Sequence, residues 1–315
     1  MNVLILRKIG INNLGFTTFF DTLVSLLKST TMTVLKFLST LSLIFLTTCS
    51  SKDEIQKENK LQLQFKQYST FVKDTFYIDV QLPQGYYDHP KRKYPTLFFI
   101  DGNFFFPMMS AIIDQYETAG LMVPTIVVGI GYKSFKTMDS LRVRDYLYPQ
   151  ALPSDELEAS GGAQNFYNYL TQELIPEIDK NYRNEQNNRS LLGHSFGGYF
   201  VLYSMLKQLG HPTQVFKHFI SASPTLWYHN FYLNKIPAQL AKHHPSNLSL
   251  LMSVGGKEDS TWSVKPVQSL EIAIQNQRIK GLEFSSRVYN HLDHMDVAIP
   301  TFTQGLRAWM KTQED

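Results

Sequence analysis

The chain has 315 residues, 43% hydrophobic and 13% aromatic, which is enough for one large domain with a core of its own and excludes a fold that depends on disulfides. Charged residues make up 18%, with 30 Lys and Arg against 27 Asp and Glu; this excludes a disordered chain, and the lack of a Lys/Arg block, an aromatic-interleaved basic stripe or zinc-finger spacing argues against nucleic-acid binding. The single cysteine, Cys49, excludes an internal disulfide and any metal site built on a cysteine pair.

In chain order, the first feature is MTVLKFLSTLSLIFLTTC, from Met32 to Cys49, which places Lys36 before an uncharged apolar stretch and the small residues Thr47 and Thr48 before the cysteine. This is a secretory signal pattern. Its apolar run, residues 37–46, is half the length of about 20 that a bilayer span needs, so removal is expected and not a retained helix. Leu46-Thr47-Thr48-Cys49 resembles the bacterial lipobox, with Thr where Gly, Ala or Ser is usual before the cysteine. Residues 1–48 are therefore expected to be a targeting segment and Cys49 the lipidated first residue of an exported, membrane-anchored lipoprotein, periplasmic or at the cell surface. Residues 1–31 lack a clean apolar core and read as a misassigned start. Residues 49–60, opening with the polar run Ser50-Ser51-Lys52-Asp53-Glu54, read as a linker; that run also resembles the acidic export signal of surface-exposed lipoproteins. Arg7, Lys8, Lys28 and Lys36 stand against Asp21 in the targeting segment, so the chain from Cys49 onward is formally neutral.

From residue 61 to 315 no internal repeat or Pro- or Gly/Ser-rich linker divides the chain, so one domain is expected. Alternating residues at 61–66 and 76–82 predict an antiparallel pair of edge strands. Short apolar runs at 95–100, 124–130, 189–193, 218–221, 248–254 and 282–289 suit buried strands. The clearest helix covers 163–182, where Phe166, Tyr167, Leu170, Leu174, Ile175 and Ile178 share one face and Pro176 predicts a kink. Further helices are expected at 198–209, 266–280 and 300–313. Strands alternating with helices imply right-handed crossovers, hence an α/β fold: a mostly parallel central sheet with antiparallel strands at its start and helices on both faces. In such a sheet, reactive side chains sit on loops at the carboxyl ends of the strands.

One such loop carries Gly193-His194-Ser195-Phe196-Gly197-Gly198, which fits the G-x-S-x-G nucleophile elbow, flanked by an apolar strand and a helix rich in aromatic and aliphatic residues. Glycine is needed on both sides because a strand that turns sharply into a helix leaves no room for side chains there. A serine hydroxyl is a poor nucleophile unless a histidine takes its proton and a carboxylate orients that histidine. The loop after the last strand, Asn290-His291-Leu292-Asp293-His294-Met295-Asp296, offers His294 as the base, with His291 second because it lies nearer the strand end. Gly255-Gly256-Lys257-Glu258-Asp259 offers Glu258 as the acid, with Asp259 as the alternative. For the oxyanion, the backbone N–H of Phe196 is one donor, and Asn103, after Asp101-Gly102, is a second whose amide can aim into the site. Phe104, Tyr132, Tyr148 and Trp227, with Phe105 and Phe106, are candidates to line an aryl-ester pocket, and Arg144 is expected to pair with an acid such as Asp145. Gly129-Ile130-Gly131 lacks the third glycine of a dinucleotide fingerprint, and His291, Asp293, His294 and Asp296 do not have convincing metal-ligand spacing, so no cofactor or metal is implied.

Taken together, these residues resemble the esterase family of the α/β-hydrolase superfamily that includes enterochelin esterases, esterase D and mycolyltransferases. The resemblance runs from Tyr94 to Trp309 through Tyr94-Pro95, Asp101-Gly102, Val127-Val128-Gly129-Ile130, Arg144-Asp145-Tyr146, the stretch from Phe166 to Tyr182-Arg183, the serine elbow, and Ser223-Pro224 with Trp227. It implies an α/β-hydrolase fold and a serine carboxylic-ester hydrolase working through an acyl-enzyme, with oxyanion donors at the Asp-Gly-x turn and after the nucleophile. The stretch Leu292-Asp293-His294-Met295 departs from the Gly-Gly-x-His approach common near the enterochelin group, so siderophore, aryl and carbohydrate-linked esters all stand as substrates. The same triad also serves acyltransferases, and a silent binding lipoprotein of this fold is the reading of another class; intact candidates at each catalytic position weigh against it.

Overall fold

Runs of apolar and β-branched residues make strands that are covered on both faces, and the computed structural model of the chain, which describes residues 61–310 apart from Pro212 and Ser246, bears this out for the central strands. The described strands are β1 (Gln62–Ser69), β2 (Asp74–Gln81), β3 (Tyr94–Ile100), β4 (Ile126–Gly131), β5 (Asn184–His194), β6 (His218–Ala222), β7 (Leu248–Gly255) and β8 (Leu282–Tyr289). They form one sheet in the order β1-β2-β4-β3-β5-β6-β7-β8. Pairing is antiparallel for β1 with β2 and β2 with β4, and parallel from β4 across to β8. The pair at the start of the domain is present, but β2 is not an edge strand. It bonds to β4 on its other side, and Phe76, Ile78 and Val80 are fully buried.

Alternation along each strand sends neighbouring side chains to opposite faces. On β3, Phe98 and Ile100 join Val128, Leu191, Phe219 and Met252 on one face, beneath Phe166, Phe200 and Tyr203 of the covering helices. Leu97 and Phe99 point the other way, to join Leu192, Ile220 and Leu251 under Phe105, Met109, Phe302 and Leu306. The sheet is thus sandwiched, and every parallel strand ends at the same edge, where the loops gather.

The expected helix at 163–182 is present with a change of register in place of a simple kink: Ala163–Tyr169 and Ile175–Asn181 are α-helical, and Leu170–Leu174 between them is a π-turn. Pro176 has no N–H and its ring presses on the preceding turn, so a widened turn just before it accommodates the proline without ending the helix. The helix at 198–209 is Phe196–Gln208, that at 266–280 is Lys265–Asn276 behind a second π-turn, Ser260–Val264, and that at 300–313 is Ala298–Trp309. We label α1 Gly102–Thr118, α2 Phe135–Tyr146, α3 Phe196–Gln208 and α4 Ala298–Trp309. Both α1 and α2 are additions to the sequence reading. Among the described residues no helix is long and apolar enough to cross a membrane. Cys49, the targeting segment and the linker lie outside the described residues.

Candidate active site

Strand β5 runs into α3 with Ser195 at the turn, and Ser195 has φ 61° and ψ −121°, a conformation that costs a non-glycine residue on the order of 1–3 kcal/mol and holds its side chain clear of both elements. Backbone contacts fix the turn. Ser195 N–H donates to Ala222 O at 3.0 Å, Tyr199 N–H to Ser195 O at 2.9 Å, and Thr225 N–H to Ser195 O at 3.4 Å. A Cβ on Gly193 would lie 2.5 Å from Gly197 O, and one on Gly198 would lie 2.8 Å from Ala222 O, so both positions require glycine.

Three strand-end loops meet over this serine. His294, after β8, places Nε2 3.0 Å from Ser195 Oγ and Nδ1 2.8 Å from Glu258 Oε2, and Glu258 follows β7. The acid is buried and the base is half-exposed, at 3% and 42% of side-chain area, so Glu258 is shielded from water while His294 can meet a substrate. Burial pushes the Glu258 carboxyl up, but hydrogen bonds from His294, the Ser223 hydroxyl and the Gly255 N–H outweigh it and hold the group below its ordinary value. Glu258 is thus an anion facing an imidazole whose other nitrogen faces a serine hydroxyl. Asp259 takes no part. Its Oδ1 accepts the N–H groups of Thr261 and Trp262 and caps the π-turn. His291 is exposed on the same loop as His294 and is not brought to Ser195.

His194, next to the nucleophile, was not singled out by the sequence reading. Its Nε2 lies 2.6 Å from His294 O, so the ring pins the backbone of the base. Burial, with His294 close by, pulls its pKa down to about 3; it is neutral, and Nε2 carries the proton donated to that carbonyl. Arg142 binds Asp101 through two bonds, of 3.0 and 2.6 Å, and also donates to His194 O at 3.0 Å, which ties the turn after β3 to the elbow after β5.

The oxyanion donors need one correction. The Asn103 side chain does not aim into the site: its Nδ2 donates to Tyr132 O at 2.9 Å and its Oδ1 accepts Tyr132 N–H at 2.6 Å, locking the start of α1 to the end of β4. What Asn103 offers is its backbone N–H in the first turn of α1, where helix geometry leaves it without an intrahelical acceptor, and Phe196 stands in the same relation to α3. Gly102 permits the approach, since a Cβ there would lie 2.7 Å from Ile130 N.

The expected aromatic lining is corrected as well. Tyr132 is a core residue, 2% exposed, with its hydroxyl 3.0 Å from buried Asp145, and Phe105 and Phe106 are also buried. Phe104 is half-buried with its ring edge-on to Phe105, and Tyr148 is half-buried against Tyr203 and Tyr232. Trp227 is half-buried two residues beyond Thr225, which bonds the elbow. The aromatic surface missed by sequence reasoning is Trp262, 55% exposed, with its ring parallel to Phe231 at a 9° interplanar angle. Trp262 lies four residues after Glu258, and that spacing was the available signal. Arg144 is structural: it pairs with Asp145 at 2.7 Å and Asp74 at 2.9 Å.

The family described as "Putative esterase" matches residues 69–308, which include every element of this site. The chain belongs to this family. It is 29% identical over 198 residues to the ferri-bacillibactin esterase of Bacillus subtilis, covering 58% of this chain and 66% of that protein. It is 31% identical over 150 residues to the apo-salmochelin esterase of Escherichia coli, covering 44% of this chain and 43% of that protein. The chain thus spans less than two thirds of the length of either of these curated relatives. Among solved structures, the BES protein of Bacillus cereus superposes with a TM-score of 0.68 at 23% identity, covering 80% of this chain and 96% of that one, so the α/β-hydrolase fold of the family is shared.

Proposed function

We propose that this member of the esterase family is a serine carboxylic-ester hydrolase acting on a siderophore ester. The observation that carries the reading is the hydrogen-bonded chain from Ser195 Oγ through His294 to buried, ionised Glu258, on a backbone turn that holds the serine out. His294 Nε2 takes the Ser195 proton as Oγ attacks the ester carbonyl; a C–O bond forms and the carbonyl oxygen becomes an anion. The N–H groups of Phe196 and Asn103 receive that anion. Collapse of the tetrahedral adduct breaks the bond to the alcohol, which leaves with the proton from Nε2, and the acyl group stays on Oγ. Water, giving its proton to His294, then releases the acid and restores the serine. Glu258 remains ionised and stabilises the imidazolium at each stage.

Support for the substrate class comes from the relatives named for ferri-bacillibactin and apo-salmochelin, and from the stacked rings of Phe231 and exposed Trp262, the latter four residues after Glu258, which suit an ester bearing aryl groups. A fluorophosphonate probe is expected to label the wild type and not Ser195→Ala; an unlabelled, folded wild type would overturn the serine mechanism. Cleavage of catecholate trilactones in preference to feruloyl and acetyl esters is expected in the same preparation, and a reversed preference would overturn the substrate class while leaving the mechanism standing.

We also assign the chain to the bacterial lipoproteins, exported and anchored through Cys49. This rests on the signal pattern before that residue and its lipobox-like Leu46-Thr47-Thr48. Metabolic labelling with a palmitate analogue is expected to mark the wild type and not Cys49→Ala, and equal marking of both would remove the assignment.

A further inference from the structure

Ser223 follows β6 and has no part in the scheme above, yet its hydroxyl touches both partners of the nucleophile. Oγ lies 2.5 Å from Glu258 Oε2 and 3.0 Å from His294 Nδ1, while Nδ1 lies 2.8 Å from the same Oε2. Three polar atoms therefore close a triangle behind the base. Proton counting leaves one arrangement: for Nε2 to accept from Ser195, Nδ1 must carry the ring proton, so Nδ1–H donates into the triangle. A carboxylate can only accept, so the single Ser223 proton goes to Oε2, and the Ser223 oxygen presents a lone pair to Nδ1–H.

The backbone at this position is unfavourable for serine. Ser223 is 2% exposed with φ 41°, in the left-handed region where glycine is the residue that fits without a penalty, and it is held there by its N–H to Ser253 O at 2.8 Å and by Pro224 after it. A serine here keeps a hydroxyl between Glu258 and His294 at a backbone position that glycine would occupy with less strain.

We infer that Ser223 is a positioning residue of the proposed esterase site, whose hydroxyl clamps the Glu258 carboxylate against His294 and fixes the ring proton on Nδ1. The inference rests on the serine mechanism above and assigns Ser223 no contact with the substrate. It also accounts for three donors converging on one buried acid, with Gly255 N–H taking Oε1 at 2.7 Å and leaving Oε2 to Ser223 and His294.

The test is Ser223→Gly, with Ser223→Ala as a second variant. Glycine relieves the left-handed strain while removing the hydroxyl, so a structural role and a positioning role predict opposite things. We expect Ser223→Gly to melt at or above the wild-type temperature, yet to lose about ten-fold in kcat with KM unchanged and to react about ten-fold more slowly with a fluorophosphonate. In a Glu258→Gln background, Ser223→Gly should add less than two-fold, because the hydroxyl acts through that carboxylate. Wild-type kcat in Ser223→Gly and Ser223→Ala would overturn the inference, as would a loss that multiplies in full with that of Glu258→Gln. Failure of the underlying mechanism looks different: the wild type itself would not be labelled.

Discussion

Glu258 and Asp259 are adjacent carboxylates in opposite surroundings. Glu258 receives three hydrogen bonds and faces His294, whereas exposed Asp259 caps the turn that follows. Glu258→Gln is therefore expected to lower kcat on the order of 10³-fold, since an amide does not stabilise the imidazolium and can hold the wrong tautomer, while Asp259→Asn stays within about two-fold of wild type. Steady-state rates of the two variants on one ester check this, and comparable losses would return Asp259 to the site. Sequence alone placed both acids on the right loop but left the choice open, because the choice depends on the direction the chain takes after Gly255-Gly256. Asn103 illustrates the opposite limit. Its place after Asp101-Gly102 was legible, but its side-chain partner Tyr132 is on another strand end, so the use of its amide in fastening two loops was not.

At the scale of elements, the strands were legible because parallel strands covered on both faces read as unbroken apolar runs, and β3 and β7 are buried along their whole length. Helix α1 was not, because Phe104-Phe105-Phe106-Pro107 obscures the helical period and places a proline inside the element. Helix α2 escaped for another reason: it buries only Met138, Asp145 and Tyr146, too few to mark an apolar face. The elbow was legible because its glycines are demanded by the crossing of β5 and α3, and this crossing makes a graded prediction. A Cβ on Gly193 meets the backbone of Gly197 at 2.5 Å, whereas one on Gly197 has as its nearest neighbours side-chain atoms of Asp101 and Ile100, at 3.0 and 3.1 Å. Backbone at the core of a sheet gives way less readily than a side chain, so Gly193→Ala is expected to cost about 2 to 3 kcal/mol and Gly197→Ala roughly half of that. Chemical denaturation of the two variants checks the order, and equal costs would mean that the turn yields as a unit.

Over the whole molecule, two buried histidines and the carboxyl of Glu117 set how the fold responds to mild acid. His194 under the site is held down to about 3 by burial and the nearby His294, and His218, stacked on Trp309 at the other end of the sheet, is held down to about 4 by burial and Lys217. Both are neutral in the folded protein at pH 5. Once unfolded they take up protons near the ordinary histidine value of about 6.5, so between there and about pH 4 the unfolded chain binds more protons than the native one and stability falls as pH falls. Each histidine contributes a limiting slope of about 1.4 kcal/mol per pH unit in that window. Glu258 acts in the same direction but lower on the pH scale: its carboxyl is held below its ordinary value, so its stabilisation is full above the carboxylate range and is lost as pH falls through it, and it contributes little to the slope above about pH 5. Glu117 opposes the histidines: burial pushes its carboxyl up to about 8, so across this window it is protonated in the folded chain and ionised in the unfolded one, and it offsets about one histidine's share. Denaturant midpoints should therefore decline from pH 6.5 toward pH 5 with a limiting slope of about 1.4 kcal/mol per pH unit. His218→Gln, distant from the catalytic loops, is expected to lower that slope by about one histidine's share and leave it close to flat, while esterase activity at neutral pH stays unchanged. An unaltered slope in this variant would assign the acid response to His194 or to the carboxylates, and with it to the site instead of the body of the fold.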